Sequence, residues 1–172
     1  MKYQNQQKLL SVIAAKMTDY TPDIDGLRVK MVAYIGKGVQ ATHALGLITV
    51  APCESAWEAY CDGQSVMDPM VLGRRVLRHL AHEFRHSQQE LLWDTDIPSV
   101  SWAARPAGGV ASSSVPFLIY RNDRGEMDAK RYADVVVNSA DPAFIHLIGR
   151  YARWCCAHQW AEFQSKASAQ GS

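Results

Sequence analysis

The chain has 172 residues, of which 48% are hydrophobic and 20% are charged, as expected for a globular domain with a real core. Its 18 Lys and Arg nearly balance 17 Asp and Glu, and no basic run is interleaved with aromatic residues, which argues against a nucleic-acid partner. No stretch approaches the roughly 20 apolar residues of a membrane span. We therefore expect one soluble domain over residues 1–172.

The first predicted element is a packing helix over residues 6–19, because Leu9, Leu10, Ile13 and Met17 recur at helical spacing. The apolar patch in this segment is short, Gln residues precede it, and no convincing cleavage site follows it. We therefore expect no Sec-type signal, and a protein that is cytoplasmic or exported by a dedicated secretion system.

Short strands are predicted over residues 27–35, 44–50 and 64–67, with a helical turn at residues 53–60. They indicate a small, mostly antiparallel sheet ahead of the longest helix. Cys53 and Cys61 flank the helical turn. The pattern favours reduced cysteines that serve as packing residues, and the alternative is a local disulfide between them in an oxidising compartment.

A long helix is predicted over residues 70–93, with Asp68 as its N-cap and Pro69 at its first position. Inside it, residues 82–86 spell H-E-x-x-H. Positions i and i+4 lie one above the other on a helix, so His82 and His86 can direct two imidazoles at one tetrahedral Zn²⁺. Glu83 is then placed to act as a base toward a water that the ion holds.

Neighbours of the motif on the same helix are expected to border the site. His79 lies one turn before His82, where a polar neighbour is a commoner role than a ligand. Gln88, Gln89 and Glu90 follow on the next turn and can hydrogen-bond around the site.

The remainder of the chain begins with a predicted loop over residues 94–116. This loop either covers the substrate cleft or shapes the choice of substrate, or it is an ill-ordered connector. A short strand at 117–120, a helix at 126–138 and a final helix from 142 to at least 163 follow. The tail at about 165–172 is expected to be flexible.

Zinc hydrolases usually have a third protein ligand. The metzincin pattern takes its third ligand from a His at position 92 and requires Gly at position 89. The chain has Gln89 and Leu92 instead, which excludes that pattern. Glu126 is the best-placed carboxylate, and Asp128 is the alternative. Other candidates for the third ligand are Asp94, Asp96 and His146, and those for transition-state stabilisation are Tyr120, Tyr132, Arg121 and His158.

The segments LAHEFRHSQQ and EMDA together resemble small H-E-x-x-H zinc metallopeptidase domains of the gluzincin type, found in phage proteins and in bacterial secreted effectors and toxins. The resemblance covers about 25 residues. It implies a zincin-like α+β fold, with a long active-site helix packed on the small sheet and followed by C-terminal helices. It also implies that Glu126 is the third ligand. Some gluzincins carry an Asp four residues after that Glu, where it supports the ligands from outside. Here that position is Lys130, so the supporting acid would have to be Asp128.

The expected activity is that of a zinc-dependent metallohydrolase, in particular an endopeptidase that acts on a protein or peptide substrate as a bacterial effector or toxin. Two alternatives belong to other classes. One is a zinc amidase acting on peptidoglycan, and the other is a non-catalytic interaction domain that zinc stabilises.

Overall fold

A computed structural model describes residues 3–18, 28–32, 35–36, 38–44, 46–65, 68–93 and 124–170, with side chains in the helices at residues 7–17, 52–61, 69–89, 125–139 and 142–157. These ranges contain five helices and three strands. In chain order they are α1 (Tyr3–Thr18), β1 (Arg28–Met31), β2 (Ala41–Ala44), β3 (Leu47–Val50), α2 (Pro52–Cys61), α3 (Pro69–Trp93), α4 (Arg124–Ser139) and α5 (Pro142–Gln170). The predicted α+β class is confirmed.

The described sheet is mixed, so the expectation of a mostly antiparallel sheet is wrong. Its strand order is β1-β3-β2, with β1 parallel and β2 antiparallel to β3. The chain crosses from β1 to the far position, β2, and returns in β3 between them, which makes the β1 pairing parallel. Strand β2 was not predicted, and it forms one edge of the described sheet.

Two of the three predicted strands are found, in shorter form. β1 lies within the predicted 27–35 and β3 within the predicted 44–50. The third prediction is wrong at Gln64 and Ser65, which lie in neither a strand nor a helix. The amide of Gln64 instead donates to the carbonyl of Ala59 in the turn that ends α2.

Helices α3 and α5 both begin at an Asp-Pro pair. The amide of Met70 donates to Oδ1 of Asp68 at 2.8 Å, and the amide of Ala143 donates to Oδ1 of Asp141 at 2.9 Å. A carboxylate at the N-cap and a Pro at the first helical position are favourable at a helix start, because the Pro lacks an amide that would otherwise need a partner. The predicted start of the long helix is confirmed.

Helix α3 lies at the centre of the core. It packs against α5, α4, α2, β2 and β3, and α1 packs on β1. The fully buried residues of its apolar face are Leu72, Val76, Leu77, Leu80, Ala81 and Phe84. The helix that carries the H-E-x-x-H motif is therefore fixed from several sides.

Two glycines bring α3 and α5 together at backbone distance. A Cβ at Gly73 would overlap the carbonyl oxygen of Ile145, and a Cβ at Gly149 would overlap the carbonyl oxygen of Pro69. Each helix thus contributes one glycine that faces the backbone of the other, and only glycine leaves room there.

A Cys53–Cys61 disulfide is excluded, because both thiols are free and lie at opposite ends of α2. Eight residues along a helix separate two Cα atoms by about 12 Å, whereas a disulfide needs less than about 7 Å. Cys53 is buried in the core, as expected for a packing residue, and Cys61 is exposed.

The predicted loop at 94–116 and strand at 117–120 lie outside the described residues. Helix α5 continues to Gln170, through most of the tail that was expected to be flexible. In the described part of the chain, no helix combines the length and the apolar character needed to cross a membrane.

Candidate metal centre

Three buried or half-buried donors from two helices meet at one point. His82 and His86 lie on successive turns of α3, and Glu126 lies in the first turn of α4. One donor atom from each residue lies within 4.8 Å of the other two, and among the described residues this is the group of His, Cys, Asp or Glu side chains able to hold a metal ion. His86 and Glu126 are each only 2% exposed.

The spacing of these donors suits a small tetrahedral ion. Nε2 of His86 lies 3.0 Å from Nε2 of His82 and 2.8 Å from Oε1 of Glu126, while Nε2 of His82 lies 3.3 Å from Oε2 of Glu126. Ligands about 2.0–2.1 Å from a tetrahedral Zn²⁺ are separated from one another by roughly 3.3 Å. The measured separations are therefore close to those around such an ion, with each imidazole contacting a different oxygen of Glu126.

Gln89 determines which nitrogen of His86 faces the cluster. Nε2 of Gln89 donates to the carbonyl oxygen of Gly125 at 3.0 Å and to Oδ2 of Asp128 at 2.9 Å. Both partners can only accept, so the amide oxygen of Gln89 must be the atom that lies 2.8 Å from Nδ1 of His86. Nδ1 then donates, and in the neutral ring Nε2 presents a lone pair to the other donors.

This arrangement requires positive charge between the donors. A lone pair on Nε2 of His86 and a carboxylate oxygen of Glu126 at 2.8 Å repel each other unless a proton or a cation lies between them. Without an ion, burial raises the pKa of Glu126, but hydrogen bonds from His82 and His86 outweigh it and hold that pKa well below its usual range. The chemistry of the buried donors thus fits a divalent metal ion.

Asp128 is brought near the cluster but faces other partners. Nε of Arg85 donates to its Oδ2 at 2.7 Å, and Gln89 donates to the same oxygen. Burial raises the pKa of Asp128, yet the hydrogen bonds from Arg85 and Gln89 lower it overall. The structure therefore brings Glu126 to the two imidazoles and engages Asp128 with Arg85 and Gln89.

Glu83 lies beside the donors and contacts a histidine from the sheet. Its Oε2 lies 2.9 Å from Nδ1 of His43 in β2, and the His43 ring stacks on the His86 ring with centroids 5.9 Å apart. Glu83 is half-buried and is not part of the donor cluster found among the described residues.

His79 is a neighbour of the site rather than a member of the donor cluster. Its Nδ1 lies 3.1 Å from Oγ of Ser55 in α2. Burial, followed by the nearby positive charges of His82, Arg75 and Arg78, lowers the pKa of His79 from 6.5 to about 3. A neutral His79 packed against α2 agrees with the predicted polar neighbour.

The predicted transition-state stabilisers are only partly described. The guanidinium carbon of Arg85 on α3 lies over the ring of Tyr132 on α4, 5.4 Å from the ring centroid. Tyr120, Arg121 and the side chain of His158 lie outside the described residues. Their proposed roles stay predictions.

Of the remaining candidates for the third ligand, His146 is exposed on α5 and does not join the donor cluster. Asp94 and Asp96 lie outside the described residues.

Two contributors to the site, His43 and Arg85, were missed in the sequence. His43 lies in the strand that was not predicted. Arg85 occupies one of the variable positions of H-E-x-x-H, where the motif asks for no particular side chain. A weak signal for Arg85 was present, because an Arg on the motif helix and an acid beside the candidate ligand Glu126 form a natural ion pair.

Comparison of the chain with protein-family models, with curated proteins and with solved structures gave no match.

Proposed function

We propose that the chain is a zinc-dependent metallohydrolase that cleaves an amide bond, most simply the peptide bond of a protein or peptide substrate. One observation carries the proposal: two imidazoles and a buried carboxylate converge at separations of 2.8–3.3 Å, next to the glutamate of an H-E-x-x-H motif. His82, His86 and Glu126 would hold the ion, and a donor set of two His and one Glu is one that catalytic zinc uses.

When bound, zinc lowers the pKa of a water molecule to about 7 and polarises the carbonyl of the bond to be cut. Glu83 would be the general base. It would accept a proton from the attacking water and deliver it to the leaving nitrogen. Strand β2 supports a peptide substrate, because the described sheet offers its outer edge for pairing with an extended chain, beside Glu83.

The test has two arms, metal content and hydrolysis. After incubation with zinc and removal of the excess, we expect one equivalent of zinc in the wild-type protein and in Glu83→Gln, and little in Glu126→Gln. Hydrolysis of a proteome-derived peptide library should be present in the wild type and absent from Glu83→Gln. Less than about a tenth of an equivalent of zinc in the wild type would overturn the proposal.

Substrate class and metal identity need separate controls. A panel of muropeptides run in parallel distinguishes a peptidoglycan amidase from a peptidase. A protein that holds zinc and cleaves neither panel would be the non-catalytic, zinc-stabilised domain. Loading with Mn²⁺, Co²⁺ and Ni²⁺ in competition with Zn²⁺ tests the choice of metal.

The role of a bacterial effector or toxin rests on the resemblance of LAHEFRHSQQ and EMDA to effector domains. Its test compares the proteomes of target cells that receive the wild-type protein or Glu83→Gln. We expect new cleavage products only with the wild type.

A further inference from the structure

His43 joins the sheet to the helix that carries the motif. It lies in the edge strand β2, opposite Ile48 of β3, and its side chain is 6% exposed. Strand β2 packs on α3, so the ring reaches the level of residues 83–86 of that helix. A buried polar ring in this position requires a partner, and Glu83 provides one.

The direction of the hydrogen bond follows from its chemistry. In the base role proposed for it, Glu83 is a carboxylate that can only accept, so Nδ1 of His43, 2.9 Å from Oε2, would be the donor. Ser87, the other described polar partner of Glu83, donates to its backbone carbonyl rather than to its carboxylate. Among the described residues, His43 is therefore the donor that fixes the carboxylate of Glu83.

The ring of His43 is itself held in place. It stacks on the ring of His86 with an interplanar angle of 21°. His86 is fixed in turn by its hydrogen bond to Gln89. The donor that contacts Glu83 is thus oriented by one of the two candidate ligands, so the base and the ligand are positioned together.

We propose that His43 is a positioning residue: its Nδ1–H holds one oxygen of Glu83 and leaves the other, Oε1, to accept a proton from the attacking water. This inference rests on the proposed function, because it assigns a role toward the general base. A glutamate has three rotatable side-chain bonds, and a general base acts only within hydrogen-bond reach of the proton it removes. Fixing Oε2 limits the directions in which Oε1 can point.

Three substitutions of His43 distinguish the effect of losing its hydrogen bond from the effect of losing its ring. His43→Phe retains a ring that can stack on His86 but has no donor. His43→Asn retains a donor close to the position of Nδ1, and His43→Ala removes both. His146→Ala, which removes an exposed histidine of α5, is the matched control.

For the zinc-loaded proteins we expect kcat to fall about 10- to 100-fold in His43→Phe and His43→Ala, with KM changed less than about twofold. His43→Asn should recover most of the loss, and His146→Ala should match the wild type. In a Glu83→Gln background, His43→Phe should cause no further loss of residual activity. Zinc content should stay at one equivalent in every variant.

A spectroscopic measurement tests the contact without activity. In the NMR spectrum of ¹⁵N-labelled protein, Nδ1 of His43 should carry a proton that is hydrogen-bonded to Glu83. The signal of this proton should change in Glu83→Ala but not in His146→Ala. Because this experiment leaves His43 unchanged, it does not depend on the folding of the His43 variants.

The outcomes separate the two proposals. An active wild type with unchanged kcat in His43→Phe would overturn the positioning role and leave the metallohydrolase standing. So would an Nδ1 signal that is insensitive to Glu83→Ala. A wild type that neither holds zinc nor hydrolyses any substrate would overturn both.

Discussion

Nδ1 of His86 lies 2.8 Å from the amide oxygen of Gln89, one turn further along α3. The same amide donates to the backbone of Gly125 and to the carboxylate of Asp128 at the start of α4. Gln89 therefore orients an imidazole on one helix and at the same time binds the helix that carries Glu126. Its side chain is almost fully buried, at 1% exposed.

We predict that Gln89→Ala lowers the affinity for zinc by about 10- to 100-fold, because outer hydrogen-bond partners of metal-binding histidines typically contribute this much. A competition titration with a coloured chelator measures the change. Gln88→Ala is the matched control, because Gln88 accepts a hydrogen bond from Arg85, whereas Nδ1 of His86 lies against Gln89. Equal effects of the two substitutions would contradict the role assigned to Gln89.

Glu126 and Asp128 form a matched pair of acids on one helix turn. Glu126 contacts both imidazoles, whereas Asp128 is held by Arg85 and Gln89. We predict that Glu126→Gln weakens zinc binding by more than about 100-fold. Asp128→Asn should weaken it by about tenfold, the low end for an outer hydrogen-bond partner, because Asp128 is held by Arg85 and Gln89. Isothermal titration of both variants with zinc checks the order, and the reverse order would make Asp128 the ligand.

Acid should destabilise the metal-free protein partly through His79. Its pKa is lowered to about 3 by burial and by nearby positive charges, whereas the unfolded chain has the ordinary value of 6.5. Between these values the unfolded state binds the extra proton, so stability falls as the pH falls from 6.5 toward 3. Glutamine does not titrate, so His79→Gln should lose less stability than the wild type over that range. The difference should be up to about 1.4 kcal/mol in the free energy of unfolding per pH unit.

Urea unfolding in the presence of a chelator, at several pH values between 7 and 4, measures this difference. His146→Gln replaces an exposed histidine of α5 and should follow the wild type. If His79→Gln and the wild type lose stability in parallel, the low pKa of His79 is contradicted.

The backbone contact between α3 and α5 predicts a steric effect far from the donors. Gly149→Ala places a methyl group against the carbonyl of Pro69, so the two helices must separate. We expect a loss of about 1–3 kcal/mol or more in the free energy of unfolding, as for other overpacked cores. The exposed neighbour Arg150, changed to Ala, should alter it by less than about 0.5 kcal/mol, and a harmless Gly149→Ala would rule out this close packing.

The features that could be predicted from the sequence are local. Asp-Pro pairs and apolar spacing indicated α3 and α5, and the five letters of H-E-x-x-H placed His82, Glu83 and His86 on one helix. Glu126 was predicted from a resemblance as well as from its place at a helix start. Its proximity to both imidazoles depends on how α4 packs on α3, which no local pattern encodes.

Strand β2 could not be predicted for a related reason. Ala41, Thr42, His43 and Ala44 include a single β-branched residue and no alternation of apolar and polar side chains, so local preference for a strand is weak. The strand forms because β3 provides a partner on one side and α3 packs against it. His43 was missed with it, although its Nδ1 lies 2.9 Å from Oε2 of Glu83.

The donors are also widely separated along the chain, since Glu126 follows His86 by 40 positions. In an unfolded chain the two histidines stay within five residues of each other, but the carboxylate of Glu126 is no longer held near them. Bringing it back to an ion would close a long loop, which costs entropy. Zinc should therefore prefer the folded state strongly. Each tenfold rise in free zinc above its dissociation constant should add about 1.4 kcal/mol of stability, seen as a rising melting temperature. The ion would then help to hold α3 and α4 together.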